Sequence, residues 1–222
     1  MDNTPLKDEH DHGYKSLFSK KKNFMHFLRK YIGVAWVNEI DEDDLLLMNN
    51  TFILKDFRDK ETDIIYRLKI KGIEIIFYVL LELQSHVDFT ILYRLHQYMS
   101  EMLRREFNNA DTNERETKDF KLPVVVPIIL YNGSDRWTVA RSFKEYLNGY
   151  ELFGKNVIDF EYLLLDLNRS NKEFILSTNK ILDNIFALDQ KEKKEEIIRS
   201  IIMVLDRVQE MEKDEQVHID KI

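Results

Sequence analysis

The alternation of apolar and polar residues is clearest between residues 63 and 84. From residue 63 to residue 70 the apolar side chains fall on alternate positions, the period of a half-buried strand. Lys71-Gly72 then predicts a tight turn. Residues 73–83 are almost continuously apolar and rich in β-branched and aromatic side chains, a composition typical of a central strand covered on both faces. The pattern therefore predicts a hairpin with two nearly equal arms.

Helical spacing of apolar residues is found on both sides of this hairpin. It predicts a first helix that Asp11 caps, with a bend at the basic run of residues 20–22, and a later helix that Asp88 caps. The polar residues 108–118 predict a loop after that later helix. Beyond Ser170 the apolar spacing becomes helical again. The chain thus supplies helices before and after the predicted strands.

Further apolar runs predict additional strands, over residues 123–131 and residues 157–165, and residues 45–54 predict a short strand or an irregular lead-in. The order of elements is helix, strands, helix, strand, helix, strand and then helices. That order predicts an α/β layered domain with a helical C-terminal extension. We expect residues 1–168 to form the main domain and residues 169–222 the extension.

Composition narrows the class of protein. The chain has 222 residues, of which 44% are hydrophobic, so it can bury a substantial core. It has no cysteine, which excludes disulfides and thiolate metal sites and suits a reducing compartment. No signal-peptide core is present, and the longest apolar run is too short to span a bilayer. We expect a cytoplasmic protein with no membrane partner. The net charge of −7 means that DNA binding would require a local basic patch.

Polar residues converge at the open end of the predicted hairpin. Side chains alternate along a strand, so Glu82 and Gln84 project to one face at the end of the second arm. The equal arms bring Asp63, at the start of the first arm, beside them. Carboxylate oxygens are the ligands that Mg²⁺ prefers in proteins. The pattern predicts a site in which Asp63, Glu82 and the backbone carbonyl of Leu83 bind a cation, while Gln84 orients a water molecule or a phosphate.

The same residues have plainer explanations. Asp63 also suits a turn that enters a strand, and Glu82-Leu83-Gln84 also suits the exposed end of a strand. A spacing of this kind occurs often by chance. The hairpin geometry favours the metal site, and on the residues alone these alternatives stay open.

Three blocks, in chain order, carry a resemblance to a known family. They are HDHGYK at residues 10–15, TDIIY and YVLLELQS at residues 62–66 and 78–85, and PVVVPIILYNG at residues 123–133. Together they resemble the bacterial recombination-promoting nuclease family, also called YhgA-like transposases, of the PD-(D/E)XK superfamily. Tyr14 stands where that family usually has Phe. The resemblance covers roughly residues 10–170.

The resemblance implies a fold and an activity. The fold is a PD-(D/E)XK restriction-endonuclease-like core, a mixed sheet flanked by helices. The activity is Mg²⁺-dependent cleavage of double-stranded DNA, with Mn²⁺ able to substitute, in recombination, mobile elements or phage defence. Asp63, Glu82 and Gln84 take the catalytic positions. Gln84 stands where the wider superfamily often has Lys, so stabilisation of the transition state would rely more on the metal.

Lys15, Arg94 and Arg105 are candidate contacts to DNA phosphates. Arg94 and Arg105 share one helix face with Tyr98 and Glu101, and the spacing predicts that this face lies opposite the apolar stripe. A solvated helix face with internal ion pairs explains the same spacing, and an exposed helix lysine explains Lys15.

A competing hypothesis is a nuclease-fold module that binds DNA or protein and cleaves slowly or not at all. The acidic net charge and the missing Lys favour it, whereas the set Asp63, Glu82 and Gln84 favours the enzyme. The apolar stripes after Ser170 predict packing on the core or on a second copy, and a symmetric dimer is the commonest such assembly. Because members of the family that it resembles often run longer, the chain is expected to be a short or truncated form.

Overall fold

The computed structural model describes residues 5–33, 35–48, 64–70, 72–82, 87–190, 201–202 and 204–205. Within these residues the helices are α1 (Pro5–Phe18), α2 (Lys21–Phe27), α3 (Ile91–Asn109), α4 (Thr112–Arg115), α5 (Lys172–Ile175) and α6 (Ile181–Asp189). The strands are β1 (Leu45–Leu47), β2 (Ile64–Ile70), β3 (Ile73–Glu82), β4 (Val124–Tyr131) and β5 (Leu163–Asp166). No helix among the described residues combines the length and the apolar character needed to cross a membrane.

The strands form one mixed sheet in the order β1-β2-β3-β4-β5. β2 and β3 pair antiparallel in the register Ile70↔Ile73 to Ile64↔Val79, which confirms the predicted hairpin. Gly72 lies in its turn with a φ of +80°, a left-handed conformation that glycine adopts without a steric penalty. β3 and β4 pair parallel, joined by a crossover that contains α3. The fold is therefore α/β, as the order of elements predicted.

The central strand β3 is covered on both faces. On one face Phe77 stacks on Trp36 at 5.6 Å between ring centroids, and Phe24 of α2 stacks on Tyr66 of the neighbouring strand at 4.2 Å. The Tyr66 hydroxyl also donates a hydrogen bond that is shared between the backbone carbonyls of Phe18 and Ser19, at 2.9 and 3.0 Å. This face therefore holds the end of α1 and α2 against the sheet.

The other face of the sheet packs against α3. Tyr78 of β3 lies 5.2 Å from Tyr98 of α3 between ring centroids, and both side chains are fully buried. Among the described residues, fourteen buried ones form the core on this side. They are Ile65, Ile76, Tyr78, Ile91, Leu92, Leu95, Tyr98, Met102, Ile129, Tyr131, Trp137, Val139, Phe143 and Tyr162. This cluster joins the hairpin, the crossover helix and β4 into one apolar layer.

Helix α3 begins just after a compact polar turn. The Asp88 carboxylate accepts hydrogen bonds from the Thr90 backbone N–H at 2.8 Å and from Arg94 Nη1 at 2.6 Å. Burial alone would raise the pKa of Asp88, but the hydrogen bonds from Thr90 and the hydrogen bond and charge of Arg94 outweigh it, so this pKa lies below its ordinary value. The prediction that Asp88 caps α3 was wrong, because the helix begins at Ile91 and its N-terminal cap is Thr90. Asp88 instead anchors the turn that leads into α3, through Thr90 and Arg94.

Strand β4 is followed by a turn whose conformation is held by aromatic side chains. A Cβ atom added at Gly133 would lie 1.9 Å from the Tyr131 hydroxyl oxygen, so only glycine fits beneath this ring. The Tyr131 hydroxyl donates to the Asp135 backbone carbonyl at 3.0 Å, and its ring meets Trp137 edge-on at 4.8 Å. Trp137 Nε1 in turn donates to the Tyr162 hydroxyl at 2.7 Å. The turn after β4 is thereby tied to the core.

Several sequence predictions about boundaries were wrong. Asp11 does not cap a helix, because α1 already begins at Pro5, and proline is well tolerated in a first turn. Residues 108–118 are not a loop throughout, since α3 continues to Asn109 and Asp111 caps the short α4 through the Asn113 N–H. The strand predicted over residues 157–165 is limited to β5. Ile158 is 62% exposed, and Phe160 stacks on Phe143 instead of joining the sheet.

The chain divides into two compact units, residues 1–165 and residues 166–222. In the second unit, α5 and α6 confirm the predicted helical character for residues 172–175 and 181–189. Within this unit the Gln190 side-chain amide donates to the Leu167 and Ser170 carbonyls at 2.8 and 2.9 Å. The predicted assignment of residues 1–168 as a complete nuclease-like domain stays a prediction.

The anchor at Asp88 predicts a pH-dependent contribution to stability. Because the pKa of Asp88 is lowered in the folded protein, its contribution is present above the ordinary Asp pKa and is lost as the pH falls through the folded value. Asp88→Asn should reduce the free energy of unfolding at pH 7 by ~1–3 kcal/mol, since it leaves the buried Arg94 without its counter-charge. The difference from wild type should shrink towards pH 3. Urea unfolding at both pH values measures this.

The control for Asp88→Asn is Glu101→Gln, on the helix α3 that follows Asp88. Glu101 pairs with the exposed Arg104, so its neutralisation should cost less than that of Asp88. Equal losses for the two variants, or a loss at Asp88 that does not change with pH, would contradict the anchor.

Two Gly→Ala substitutions should have opposite effects on stability, one in the turn after β4 and one in α1. Gly133→Ala should destabilise the protein by ~1–3 kcal/mol, because the new methyl group collides with the Tyr131 ring. Gly13→Ala should stabilise it by up to ~1 kcal/mol, because Gly13 lies inside α1 and, apart from its chain neighbours and the backbone of its own helix, no described atom lies within 4 Å of an added Cβ. Thermal melts of the two variants check both signs. A neutral Gly133→Ala would show that the ring does not fix the turn.

Candidate functional site

Three chain segments meet at the carboxyl-terminal end of β3. The antiparallel β2 begins at Ile64, opposite Val79 and close to the last residue of β3, Glu82. The parallel β4 places its last residue, Tyr131, opposite Glu82. In open α/β sheets, ligands bind outside the carboxyl ends of parallel strands. This end of the β2–β3–β4 group, which we call the acidic edge, is the candidate site.

The predicted site residues belong to these segments in the sequence. Glu82 ends β3, and its backbone is paired with Tyr131. Asp63 immediately precedes Ile64 in the chain, and Leu83 and Gln84 immediately follow Glu82, but these three lie outside the described residues. The structure therefore confirms the β2–β3 hairpin, on which the predicted approach of Asp63 to Glu82 depends. The clustering of the side chains themselves stays a prediction.

Asn132 is a polar residue of the acidic edge that the sequence analysis did not single out. It directly follows Tyr131, and only 5% of it is exposed. In the sequence, Asn132-Gly133 is typical of an ordinary turn. The sequence shows only that a polar residue follows an apolar strand. Its burial depends on the aromatic rings packed around the turn, which the local sequence does not reveal.

The predicted polar face of α3 is wrong for two of its residues. Tyr98 is fully buried against Tyr78, and Arg94 is 8% exposed with its guanidinium bound to Asp88. The helix is buried around a wider arc than the apolar stripe suggests, because it lies between the sheet and the segment that contains Phe143 and Tyr162. Arg94 is thus part of the anchor of α3, which removes the exposed guanidinium that the predicted phosphate contact assumed.

The remaining candidate DNA contacts lie on separate elements. Lys15 is a half-buried residue near the end of α1, on the element that covers the other face of the sheet. Arg105 is also half-buried and lies eleven positions beyond Arg94, ~16 Å along α3 at 1.5 Å per residue. Contact of either residue with DNA stays a prediction.

An open groove lies at the opposite end of the hairpin from the acidic edge. Its volume is about 1150 Å³, and it is bordered by the turn residues Gly72 and Ile73 and by Arg105. Inside it Arg67 forms ion pairs with Glu106 and, at 3.7 Å, with Glu74. Among the described residues, four basic and four acidic residues line it, so their formal charges balance. These described residues give a polyanion such as DNA no net attraction.

No group of three or more His, Asp or Glu residues that could hold a metal ion is present in the part of the chain that the structure describes. Two of the three expected polar groups, Asp63 and Gln84, lie outside that part. Asp63 and Glu82 would supply two carboxylates, and Leu83 a carbonyl oxygen. This donor set consists of hard oxygen atoms, which suits Mg²⁺ or Mn²⁺ and does not suit a soft metal.

Comparisons with known proteins agree with these features. The chain is 23% identical over 205 residues to the recombination-promoting nuclease RpnC of Escherichia coli K12, an alignment that covers 92% of this chain and 64% of that protein. It is 25% identical over 134 residues to the recombination-promoting nuclease RpnD of Escherichia coli O157:H7, covering 60% of this chain and 49% of that protein. The chain thus spans less than two thirds of the length of either relative. No solved structure matches it.

The family comparison covers almost the whole chain. The sequence profile of the family described as "Putative transposase, YhgA-like" matches residues 8–216. This range includes the hairpin, the crossover helix and the turn after β4, so the match extends over every segment of the acidic edge. The chain belongs to the YhgA-like putative transposase family.

Proposed function

We propose that this protein is a metal-dependent DNA endonuclease with a PD-(D/E)XK core, which hydrolyses phosphodiester bonds in double-stranded DNA. The observation that carries the proposal is the register of β3. Near its carboxyl end this strand has the start of an antiparallel neighbour on one side, where Ile64 pairs with Val79, and the end of a parallel neighbour on the other, where Tyr131 pairs with Glu82. Such an edge would bring together the acidic residues Asp63 and Glu82.

The relatives support the chemistry of the proposal. RpnC and RpnD are named recombination-promoting nucleases, and RpnC aligns with 92% of this chain. Their names favour DNA as the substrate and recombination as the process. Mobile elements and phage defence are related settings that we also propose for this chain. Metal-assisted phosphodiester hydrolysis uses an acidic, metal-binding site, which is the kind of site that the hairpin predicts.

Asp63 and Glu82 would hold the Mg²⁺ ion together with the backbone carbonyl of Leu83, and Mn²⁺ would substitute for it. When bound, the cation lowers the pKa of a water molecule and offsets negative charge on the phosphate. Gln84 has no charge, so its part is to orient a water molecule or the scissile phosphate through its amide. The α3 anchor at Asp88 and the turn after β4 would keep the site rigid on either side.

The alternative function is a nuclease-fold module that binds DNA or protein and cleaves little or not at all. The burial of Arg94 in an ion pair with Asp88 favours it, because this removes a phosphate contact from the candidates. The net charge of −7 also favours the binding module, because an acidic protein repels DNA. Cleavage assays separate the two functions directly.

The catalytic proposal predicts different outcomes for three substitutions. Glu82→Gln and Asp63→Asn should each lower the DNA cleavage rate about a thousandfold or more, because each removes charge from the metal site. Gln84→Lys should preserve or raise the rate, since it adds a positive charge near the phosphate. Plasmid nicking, measured against Mg²⁺ and Mn²⁺ concentration, gives these rates.

Glu74→Gln is the matched control for Glu82→Gln. Glu74 lies on the same strand at the hairpin-turn end, so its loss should leave cleavage close to wild type. Melts without metal should show that Glu82→Gln remains folded, because neutralising one of two adjacent carboxylates relieves their repulsion. A folded Glu82→Gln variant that cleaves like wild type would refute the catalytic proposal and favour the binding module.

We further propose that the second unit mediates homo-oligomerisation, with a symmetric dimer as the product. Six apolar side chains in the described part of this unit are 42–56% exposed, and clustered apolar side chains at the surface usually mark an interface. They are Phe174, Ile181, Leu188, Ile201, Ile202 and Leu205.

Sedimentation velocity over a range of concentrations tests this assembly. Wild type should sediment as a dimer, and Ile202→Glu should shift the equilibrium towards monomer by at least about tenfold in Kd, roughly the 1.4 kcal/mol expected for placing one charge in an apolar contact. Leu152→Glu is the control, because Leu152 is an 84% exposed apolar residue of the first unit. A wild type that stays monomeric at all concentrations would rule the dimer out.

A further inference from the structure

We infer that the loop of residues 145–158, which we call the apolar loop, inserts Leu152 and Phe153 between neighbouring base pairs of bound DNA. The inference rests on the proposed function and deepens it, because it identifies a contact through which an acidic protein holds DNA. Apolar and aromatic side chains that contact base faces gain affinity by stacking, which does not require a positive net charge.

The two ends of the apolar loop are clamped to each other. The Phe143 N–H donates to the Phe160 carbonyl at 2.9 Å, and the two rings stack at 5.1 Å between centroids. The Asp159 carboxylate accepts a hydrogen bond from the Ser142 hydroxyl and forms an ion pair with Lys144 at 3.0 Å. The chain that leaves the core at one end of the loop therefore returns beside its starting point. Compact surface loops closed in this way are frequently functional.

The most exposed apolar side chains of this loop lie at its middle. Leu152 is 84% exposed and Phe153 is 59% exposed. Two short 3₁₀ helices, Tyr150–Leu152 and Gly154–Asn156, hold the backbone on either side of Phe153. Loops are ordinarily polar, so an adjacent apolar pair at the tip of a closed loop indicates a contact with another molecule.

The base of the apolar loop packs on the part of α3 that is nearer to the acidic edge. Phe143 stacks on His96, the sixth residue of α3, at 4.9 Å between ring centroids. The far end of α3, with Arg105 and Asn109, borders the groove at the hairpin turn. Because that groove lies at the opposite end of the hairpin from the acidic edge, the start of α3 lies towards the acidic edge. The base of the loop and the proposed metal site therefore belong to the same end of the first unit.

The size of the apolar tip favours DNA over a protein surface. A stable protein interface buries roughly 800 Å² on each partner and involves about 20–30 residues a side. The tip offers only Leu152 and Phe153, and the neighbouring Glu151 and Lys155 are exposed charged residues. DNA-binding proteins, by contrast, insert individual apolar side chains, Leu and Phe among them, between base steps and partly unstack them. The tip has the size and the chemistry of such a wedge.

The distribution of charge supports a contact with bases instead of phosphates. The net charge is −7, and the Arg94 guanidinium is already paired with Asp88. At the tip itself, the formal charges of Glu151 and Lys155 cancel. Stacking on base faces is an attraction that remains available to a protein of this composition.

The test measures the binding of a fluorescein-labelled DNA duplex to the full chain without divalent metal, so that the DNA stays intact. A second duplex carries 2-aminopurine in place of several adenines, and its fluorescence rises when a base is unstacked. Wild type should bind the first duplex and raise the fluorescence of the second. The double variant Leu152→Ser/Phe153→Ser should bind about tenfold or more weakly and leave the fluorescence unchanged. Because both side chains are exposed, its melting temperature should stay close to that of wild type.

Two further variants separate stacking from a general loss of apolar surface. Phe153→Trp keeps an aromatic ring and should retain both the binding and the fluorescence signal of wild type. Ile73→Ser is the matched control, because Ile73 is a 55% exposed apolar residue at the hairpin turn. It should bind and unstack DNA like wild type. An equal loss for Ile73→Ser would overturn the assignment of the wedge to the loop tip.

The outcomes separate this inference from the proposed function. If wild type nicks plasmid DNA with Mg²⁺ and the double variant binds the duplex as tightly as wild type, the wedge is wrong and the endonuclease proposal stands. If wild type unstacks DNA through the two side chains and nicks no plasmid, the endonuclease proposal fails and the wedge stands. A wild type that binds no duplex overturns the wedge. A Leu152→Glu variant that shifts sedimentation towards monomer also overturns it, because the tip would then be a contact between copies of the chain.

Discussion

The burial of β3 on both faces is the constraint on which the rest of the first unit depends. A strand with apolar side chains in both directions needs a layer above and a layer below, and these are supplied by α1 and α2 on one side and by α3 on the other. Within this arrangement α3 has to return the chain to the start of β4. The parallel pairing of β3 with β4 follows, and with it the meeting of two strand ends at Glu82.

The polar interactions of the unit serve this layered packing. Tyr66 holds the end of α1 through two backbone carbonyls, and Asp88 with Arg94 anchors the start of α3. Each contact links a covering helix to the sheet or to the loop from which the helix starts. Arg94 illustrates the cost of such a role. A guanidinium that neutralises a partly buried carboxylate is no longer available to a phosphate, so any attraction for DNA has to come from elsewhere on an acidic protein.

The two ends of the hairpin differ in chemistry. At the turn end, the charges of Arg67, Glu74 and Glu106 satisfy one another in an open groove. At the acidic edge, the backbone of Glu82 pairs with Tyr131, which leads into the turn that carries Asn132. Size alone would favour the groove as a binding site, yet the charges of its described residues balance. The acidic edge is where the proposed oxygen donors for a hard cation would lie, and the family match covers every segment that builds it.

The sequence by itself determined the hairpin, the buried strands and the helical character of the second unit, because periodicities of two and of 3.6 residues are local properties of the chain. It also predicted that Asp63 and Glu82 belong to one end of that hairpin, because nearly equal arms around Gly72 place the start of one arm near the end of the other. Only the tertiary structure decided which polar residues became buried. Arg94 and Asn132 look like surface residues in the sequence, yet both are buried. Arg94 is paired with Asp88, which lies in an irregular turn, and the core near these residues includes side chains as distant in the chain as Tyr162. Burial depends on what packs against a residue, and a local pattern carries no information about a distant neighbour.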